Sequence, residues 1–118
     1  MRMEKLTHSL RAALGEAQSL AIGRDHPFIE PLHLLKAMLD PAGSASRALL
    51  MAAGAAVEPL QSSVDNALGA MATVSGSEDV HVSQETQRLL NRADKLSQQA
   101  GDMYLSTDTV LLAMLESK

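Results

Sequence analysis

The chain has 118 residues and a net charge of −4, so it is long enough for one buried core but carries no Lys/Arg cluster for nucleic acid. It contains no Cys, which excludes disulfides and thiolate chemistry, and no run of about 20 apolar residues to cross a membrane. With one Phe, one Tyr and no Trp, the core must consist of aliphatic residues and Met, a composition that favours helices. We therefore expect an all-α domain.

Apolar residues spaced three and four apart predict two helices at the start of the chain. Thr7 is a good N-cap for the first helix, and Gly23 is placed to end it. Phe28-Ile29 forms a short apolar hook, Pro31 suits the first position of the second helix, and Pro41 stops that helix. The two apolar stripes contain Leu10, Ala13, Leu14, Ala17, Leu20 and Ala21, and then Leu32, Leu34, Leu35, Met38 and Leu39.

Two further helices are predicted before a polar segment. Either Ser44 or Ser46 is the N-cap of the third helix, and Gly54 ends it. Glu58-Pro59 opens the fourth helix, and residues 73–81 lack helical periodicity, so we interpret them as an exposed linker. The stripe of the fourth helix contains Val57, Leu60, Val64, Leu68 and Met71.

The last two predicted helices follow this linker. Ser83 caps the fifth helix, Gly101 is a turn residue, and Ser106 starts the sixth helix with Asp108 in its first turn. The apolar face of the sixth helix contains Val110, Leu111, Met114 and Leu115. The stripe of the fifth helix contains Thr86, Leu89, Leu90, Ala93, Leu96 and Ser97.

The segment from Thr7 to Asp40 is repeated 76 residues later, without a gap, from Ser83 to Glu116. The identical pairs lie on the apolar stripes and are Leu14/Leu90, Ala17/Ala93, Leu20/Leu96, Leu35/Leu111, Ala37/Ala113, Met38/Met114 and Leu39/Leu115. We predict a first repeat at 1–72, a linker at 73–81 and a partial second repeat at 82–118. Partners of the third and fourth helices would fall at about 120–147, so the second repeat is expected to be incomplete and to expose apolar surface.

The sequence contains none of the common nucleotide-binding or catalytic motifs. There is no phosphate-binding Gly-x-x-x-x-Gly-Lys, no His-Glu-x-x-His and no Gly-x-Ser-x-Gly motif. The histidines are His8, His26, His33 and His81. His26 and His33 are seven apart with a turn between them, which does not give a metal pair, so we interpret the histidines as structural residues at the surface or partly buried. We expect no catalysis, no metal and no cofactor in this chain.

Several strings resemble one known family. They are Met1-Arg2, Leu6-Thr7, Ala17-Gln18-Ser19-Leu20-Ala21, Phe28-Ile29-Glu30-Pro31-Leu32-His33-Leu34, Ser83-Gln84, Leu90-Asn91, Asp94-Lys95-Leu96, Gly101-Asp102 and Leu115-Glu116-Ser117. Together they resemble the N-terminal domain of bacterial ClpB disaggregases, which are Clp/Hsp100 AAA+ chaperones, and the resemblance extends over the whole chain.

The resemblance implies a fold and a function. The fold is two pseudo-symmetric four-helix repeats joined by a flexible linker to two ATPase rings in a hexamer. The function is recognition of unfolded or aggregated polypeptide and its delivery to the central pore, with ATP bound by other domains. The implied setting is the cytoplasmic stress response together with the DnaK system, which engages the coiled-coil middle domain.

The resemblance also implies three polar residues that handle substrate. They are Thr7, Asp102 and Asp108, the last at a position where the family usually has Glu. Each has a structural interpretation as well, because Thr7 is an N-cap and Asp108 complements the helix dipole. Asp108 corresponds to Leu32 in the first repeat, so a charge has replaced an apolar residue there.

An apolar groove on the second repeat is the remaining implied feature. Leu90 and Leu96 match its positions, whereas Arg92 and Thr109 stand where Leu is expected and make it narrower or more polar. Both leucines also fit an ordinary core stripe. Two other functions remain open: docking of a folded adaptor, as in the ClpA/ClpC branch, and a structural cap that binds nothing.

Overall fold

The computed structural model describes residues 3–39, 45–74 and 80–116, and within these ranges the chain is almost entirely helical. The helices are α1 (His8–Gly23), α2 (Pro31–Leu39), α3 (Ala45–Ala52), α4 (Val57–Gly69), α5 (Gln84–Gln99) and α6 (Thr107–Glu116). A 3-10 turn at Met3–Lys5 precedes them, and two short strands are present, β1 (Phe28–Ile29) and β2 (His81–Val82). The predicted all-α class and the six predicted helices are confirmed.

Matching caps begin the first helix of each repeat. The Thr7 hydroxyl accepts a hydrogen bond from the backbone N–H of Leu10 at 3.2 Å, and the Ser83 hydroxyl accepts one from Thr86 at 3.1 Å. Each bond satisfies one of the backbone donors that a helix N-terminus leaves open. Both predicted N-caps are therefore confirmed.

The turns that follow α1 and α5 also match. The backbone N–H of His26 donates to the carbonyl of Ala21 at 2.9 Å, and Asp102 donates to Ser97 at 3.0 Å. One residue earlier, Asp25 and Gly101 both have positive φ, at 56° and 78°. Gly101 is thus the turn residue that the sequence predicts.

Gly23 has a smaller role than predicted. It is the last residue of α1 and has no positive φ, because the left-handed conformation falls on Asp25 instead. Asp is one of the few side chains that tolerate this conformation.

The two repeats are joined by reciprocal backbone pairing. β1 and β2 are parallel, with Ile29 opposite Val82, and a second parallel bridge joins Leu6 to Leu105. Since Leu6 corresponds to Val82 and Ile29 to Leu105, the two pairings are the same contact made in both directions. The backbone N–H groups repeat the pattern: Thr7 donates to Leu105 at 2.9 Å and Ser83 to Ile29 at 3.2 Å.

This pairing corrects the predicted linker at 73–81. His81 belongs to β2, and Val80 beside it is half-buried and packs against the core. The central part of the linker, residues 75–79, lies outside the described residues. Two-residue strands carry no alternation that a sequence pattern reveals, and their partners lie in the other repeat.

The core lies between the paired helices. α1 packs against α2, α5 packs against α6, and α2 also contacts α4, α5 and α6. The predicted stripes of α1 and α5 point inward, with Leu10, Ala17 and Ala93 fully buried. Thr86 occupies the position of Leu10 in the second repeat, and its hydroxyl donates to the carbonyl of Ile29 at 2.7 Å, so this buried polar atom is satisfied.

α3 and α4 complete the first repeat. Ser46 lies inside α3 and is buried, so it is not the N-cap of that helix, and the alternative Ser44 lies outside the described residues, as does Pro41. Gly54 follows α3 with a φ of 87°, as a helix-ending glycine should. α4 buries Val64 and Leu68 on its predicted stripe.

The ends of α2 and α6 differ in exposure. Leu39 is completely buried, and its carbonyl accepts hydrogen bonds from Arg47 and Gln61 on α3 and α4 at 3.2 and 3.4 Å. Leu115, at the equivalent position of α6, is 57% exposed. The prediction that Leu115 lies on the buried face is therefore wrong, although Val110 and Leu111 are buried as predicted.

Two glycine substitutions are expected to have opposite effects. Gly101→Ala should lower the free energy of unfolding by about 1–2 kcal/mol, because its positive φ strains any residue with a Cβ. Gly15→Ala, in the interior of α1 where an added Cβ meets nothing within 4 Å, should raise it by about 0.5–1 kcal/mol. Urea unfolding followed by circular dichroism measures both values. A lower free energy of unfolding in Gly15→Ala would contradict the placement of Gly15 in a helix interior with room for a Cβ.

Candidate functional site

Backbone pairing brings Thr7 to the segment that connects α5 to α6. Its N–H donates to the Leu105 carbonyl at 2.9 Å, and its hydroxyl is occupied in capping α1. Asp102 and Asp108 lie in sequence on either side of Leu105, and both are exposed. Thr7 therefore contacts the connection between α5 and α6. Asp102 lies in that connection, and Asp108 lies just after it, in the first turn of α6.

Each of the two acids also has a local position that the sequence explains. Asp102 lies in the turn that ends α5, and Asp108 lies in the first turn of α6, where a carboxylate complements the helix dipole. Ser106 precedes α6, and its hydroxyl accepts from the backbone N–H of Thr109 at 3.4 Å. Both carboxylates remain open to solvent. Their part in substrate handling, and that of Thr7, stays a prediction.

The predicted apolar groove residues are unequally accessible. Leu90 is 6% exposed and belongs to the core, whereas Leu96 is half-buried and packs against the core. The half-buried Thr109 has its hydroxyl 3.3 Å from that of Ser106, and Arg92 is exposed. Leu90 therefore does not present an open surface in this structure. A role in substrate binding stays a prediction for both leucines.

An open depression of about 480 Å³ lies where the start of α2 meets α5 and α6. It is lined by Pro31, Glu85, Arg88, Leu89, Arg92 and Ala113. Of these six, only Arg92 was associated with the groove from the sequence, whereas Pro31, Leu89 and Ala113 were named there for structural reasons. Arg88 and Leu89 lie about one helical turn before Arg92, so helical spacing could have added them to the predicted groove. Pro31 and Ala113 come from other helices, and only the packing of the helices brings them to the depression.

His26 and His33 form a buried pair, which sequence spacing did not indicate. Their side chains are 1% and 0% exposed, and His26 Nδ1 lies 2.7 Å from His33 Nε2. The backbone N–H of Glu30 donates to His33 Nδ1 at 2.8 Å. The interpretation of these two histidines as surface or partly buried residues is therefore wrong, although a structural role fits.

The hydrogen bonds define which ring nitrogens carry protons. Since His33 Nδ1 accepts from Glu30, the neutral ring carries its proton on Nε2 and donates it to His26 Nδ1. If His26 Nδ1 or His33 Nδ1 took up a further proton, two N–H groups would face each other and that hydrogen bond would be lost. Burial, with smaller contributions from His26 and Arg24, lowers the pKa of His33 below its usual value, while Glu30 acts in the opposite sense.

The second repeat carries different chemistry at these positions. His26 corresponds to Asp102 and His33 to Thr109. A buried pair that helps to fix the first repeat is thus replaced by an exposed acid and a half-buried hydroxyl.

Within residues 3–39, 45–74 and 80–116, no three His, Cys, Asp or Glu side chains lie close enough together to hold a metal ion. None of the helices in these ranges combines the length and apolar character needed to span a bilayer.

Two substitutions of Thr7 should separate its cap from any other role. Thr7→Ala removes the acceptor of the 3.2 Å bond and should lower the free energy of unfolding by about 1 kcal/mol. Thr7→Ser keeps the hydroxyl and should retain nearly all of that stability. Urea unfolding of both variants tests this, and equal losses in the two would show that the hydroxyl is not the stabilising group.

The buried pair should make stability depend on pH. Below about pH 6.5 the unfolded chain binds a proton that folded His33 resists, so the free energy of unfolding should fall on acidification, by at most about 1.4 kcal/mol per pH unit. Above about pH 6.5 the contribution of His33 to the free energy of unfolding is fully present. Unfolding curves between pH 7.5 and 5.5 measure the slope.

Two variants serve as controls for that slope. His33→Gln should be less stable at neutral pH but less dependent on pH, whereas the exposed His8→Gln should retain the slope of the unmodified chain. An unchanged slope in His33→Gln would contradict the assignment of the pH dependence to the pair.

Comparison with known proteins identifies the family. Residues 5–118 match the Clp repeat (R) N-terminal domain. The chain is 43% identical over 117 residues to the chaperone protein ClpB of Pseudomonas putida, which covers 98% of this chain and 14% of that protein. The chain thus spans a small part of the length of this relative.

Solved structures agree on the fold. The Hsp104 N-terminal domain from Candida albicans has a TM-score of 0.86 at 24% identity, covering 95% of this chain and 74% of that one. A ClpV N-domain in complex with a VipB peptide has a TM-score of 0.80 at 29% identity, covering 97% of this chain and 69% of that one. The chain therefore belongs to the Clp repeat N-terminal domain family and is a ClpB-like N-domain of the Hsp100 chaperones.

Proposed function

We propose that this chain is the substrate-recognition domain of a ClpB-type disaggregase. In this proposal it binds unfolded or aggregated polypeptide and passes it to the AAA+ rings of the full-length protein, where ATP is bound. The full-length protein would act in the cytoplasm with the DnaK system. The observation that carries the proposal is the open depression between α2, α5 and α6.

The depression suits one apolar side chain of an unfolded segment. Its volume of about 480 Å³ lies in the range of ordinary ligand pockets, and the half-buried Pro31 supplies apolar surface, whereas Leu89 and Ala113 are almost completely buried. Each 40 Å² of apolar surface removed from water there is worth about 1 kcal/mol. An open depression places little demand on the shape of what enters it, which fits a binder of many different sequences.

The proposed surface continues along α5 toward the connecting segment. Leu96 lies one helical turn beyond Arg92 on the same side of α5, and the helix ends about 10 Å beyond Arg92. Met103, in the segment that follows, is 81% exposed, and Tyr104 is 54% exposed. About three residues of extended polypeptide would span the distance from Arg92 to the end of α5.

Weak binding is expected from such a surface. Few side chains are enclosed, so micromolar or weaker affinity, about −8 kcal/mol or less favourable, is the appropriate scale. A domain that hands its substrate to another part of the protein needs rapid release, which weak binding provides.

A second candidate is docking of one defined partner. The N-domain of ClpV, at 29% identity, is solved in complex with a VipB peptide, so a domain of this fold takes a particular peptide in that protein. Docking of this kind predicts a saturable, sequence-specific interface. Promiscuous binding of unrelated unfolded chains separates the first candidate from the second.

An amide NMR titration with a permanently unfolded, non-aggregating protein tests the proposal. Progressive shifts are expected at Arg92, Leu96, Asp102, Asp108 and Ala113. Two unrelated unfolded proteins should shift the same amides. Absence of shifts with millimolar substrate would overturn the proposal, and shifts with only one of the two proteins would favour a defined partner.

Two exposed methionines provide a matched pair of variants. Met103→Ser should weaken binding by roughly fivefold, which corresponds to about 40 Å² of lost apolar contact. Met51→Ser removes a similar side chain, 63% exposed on α3 of the first repeat, and should leave the affinity unchanged. Equal effects would place the binding surface elsewhere.

A further inference from the structure

The buried His26–His33 pair fastens the segment that carries β1. His26 lies in the turn after α1, and His33 lies in the first turn of α2. The Glu30 N–H donates to His33 Nδ1 at 2.8 Å, and His33 Nε2 donates to His26 Nδ1 at 2.7 Å. Two rings from opposite ends of segment 26–33 are thus held together, with β1 between them.

The same segment also holds the start of the second repeat. The Ile29 carbonyl, in β1, accepts hydrogen bonds from the Ser83 N–H at 3.2 Å and from the Thr86 hydroxyl at 2.7 Å. We call this contact the first joint, and we call the 2.9 Å hydrogen bond from the Thr7 N–H to the Leu105 carbonyl the second joint. The first joint therefore depends on a segment whose two ends are fastened by histidines.

The positions behind the second joint carry different residues. The equivalents of His26 and His33 there are Asp102 and Thr109. Histidine is the one side chain whose ordinary pKa makes it change charge between pH 5 and 8. A change in pH near neutrality therefore acts on the fastening of the first joint and not on the equivalent positions behind the second.

We propose that proton uptake by the His26–His33 pair opens the first joint and leaves the second joint closed. A proton added to either Nδ1 atom sets two N–H groups against each other, so a hydrogen bond is lost inside a buried site. Release of segment 26–33 lets the charged ring reach water, which removes the free-energy cost of burying its charge. A short segment opens at a lower free energy than the whole domain, so this release does not require global unfolding.

Burial is the main influence that keeps the closed pair neutral. It lowers the pKa of His33, with smaller effects of the same sign from His26 and Arg24 and an opposite effect from Glu30. On β2, the exposed His81 lies opposite Phe28. Charged groups on the other elements packed against α2 have contacts elsewhere or are exposed, namely Arg47 on the Leu39 carbonyl, Asp65 paired with Lys36, Glu85 and Arg88 in the depression, and Asp108.

Amide hydrogen exchange of the full 118-residue chain, followed by NMR, reports on the two joints separately. The Ser83 N–H reports on the first joint, the Thr7 N–H on the second, and the Ala93 N–H, inside α5, on unfolding of the domain. From pH 7.5 to 5.5 the protection of Ser83, corrected for the intrinsic exchange rate at each pH, should fall by up to about tenfold. This fall should persist unchanged in about 1 M urea, because opening of a short segment exposes little surface.

The other two amides should behave differently. The protection of Ala93 should fall roughly fivefold or more in about 1 M urea, since unfolding exposes the core. The Thr7 N–H should show no exchange that rises on acidification and is independent of urea, because opening of the first joint leaves its bond to Leu105 in place.

Two exposed histidines near the reporting amides are replaced as a control. His8 follows Thr7, and His81 precedes Ser83 by two residues. The double variant His8→Gln with His81→Gln leaves the buried pair as the only histidines of the chain and should keep the full pH effect at Ser83. Addition of His33→Gln should remove most of that effect. The exchange of the unmodified chain and of the double variant decides between the outcomes even if the triple variant does not fold.

Several results would overturn the proposal. One is a protection of Ser83 that does not change with pH, or that depends on urea as strongly as that of Ala93, since the joint would then open only on unfolding. Another is the same urea-independent exchange at Thr7, since both joints would then open together. Loss of the effect in the double variant would assign it to His8 or His81, and an undiminished effect in a folded triple variant would exclude His33 as its source.

Discussion

The structure depends on one pair of reciprocal backbone contacts. The chain just before α1 pairs with the segment before α6, through Leu6 and Leu105, and the chain just before α5 pairs with the segment before α2, through Val82 and Ile29. Backbone hydrogen bonds of this kind do not depend on side-chain identity, so they hold the two repeats in register while the side chains around them diverge. They also bring Thr7 to Leu105, which lies in sequence between Asp102 and Asp108.

Divergence around this common framework gives the two repeats different properties. In the first, the His26–His33 pair is buried, and α3 and α4 cover the end of α2 at Leu39. In the second, Asp102 stands exposed at the position of His26, and Leu115 is open at the position of Leu39. The two repeats therefore differ in their chemistry at equivalent positions, most clearly where the buried His26 of the first is replaced by the exposed Asp102 of the second.

Sequence patterns predicted the helices because they have apolar stripes, and the two longest, α1 and α5, also have a polar N-cap. Thr7 and Ser83 cap α1 and α5 as expected, and Gly101 has the left-handed conformation that its position in the turn implied. Such signals are local, since the interacting atoms lie within a few residues of one another. The 76-residue offset extended these predictions to the second half of the chain.

The features that the sequence did not predict depend on contacts between distant segments. The strands contain two residues each and are defined only by their partners in the other repeat. His26 and His33 meet because the turn between α1 and α2 folds back, which spacing in the sequence does not show. The depression likewise combines Pro31 with Ala113, from helices that only the packing brings together.

The reciprocal pairing has a consequence for the origin of the domain. Two identical chains related by a two-fold axis would make the same contacts, since each surface is complementary to itself. Fusion of two copies of one ancestral gene would therefore need no new interface. After such a fusion each half is free to change by itself, because a substitution no longer appears twice in the assembly, and this fits the buried His26–His33 pair of the first half, whose equivalents in the second half are Asp102 and Thr109.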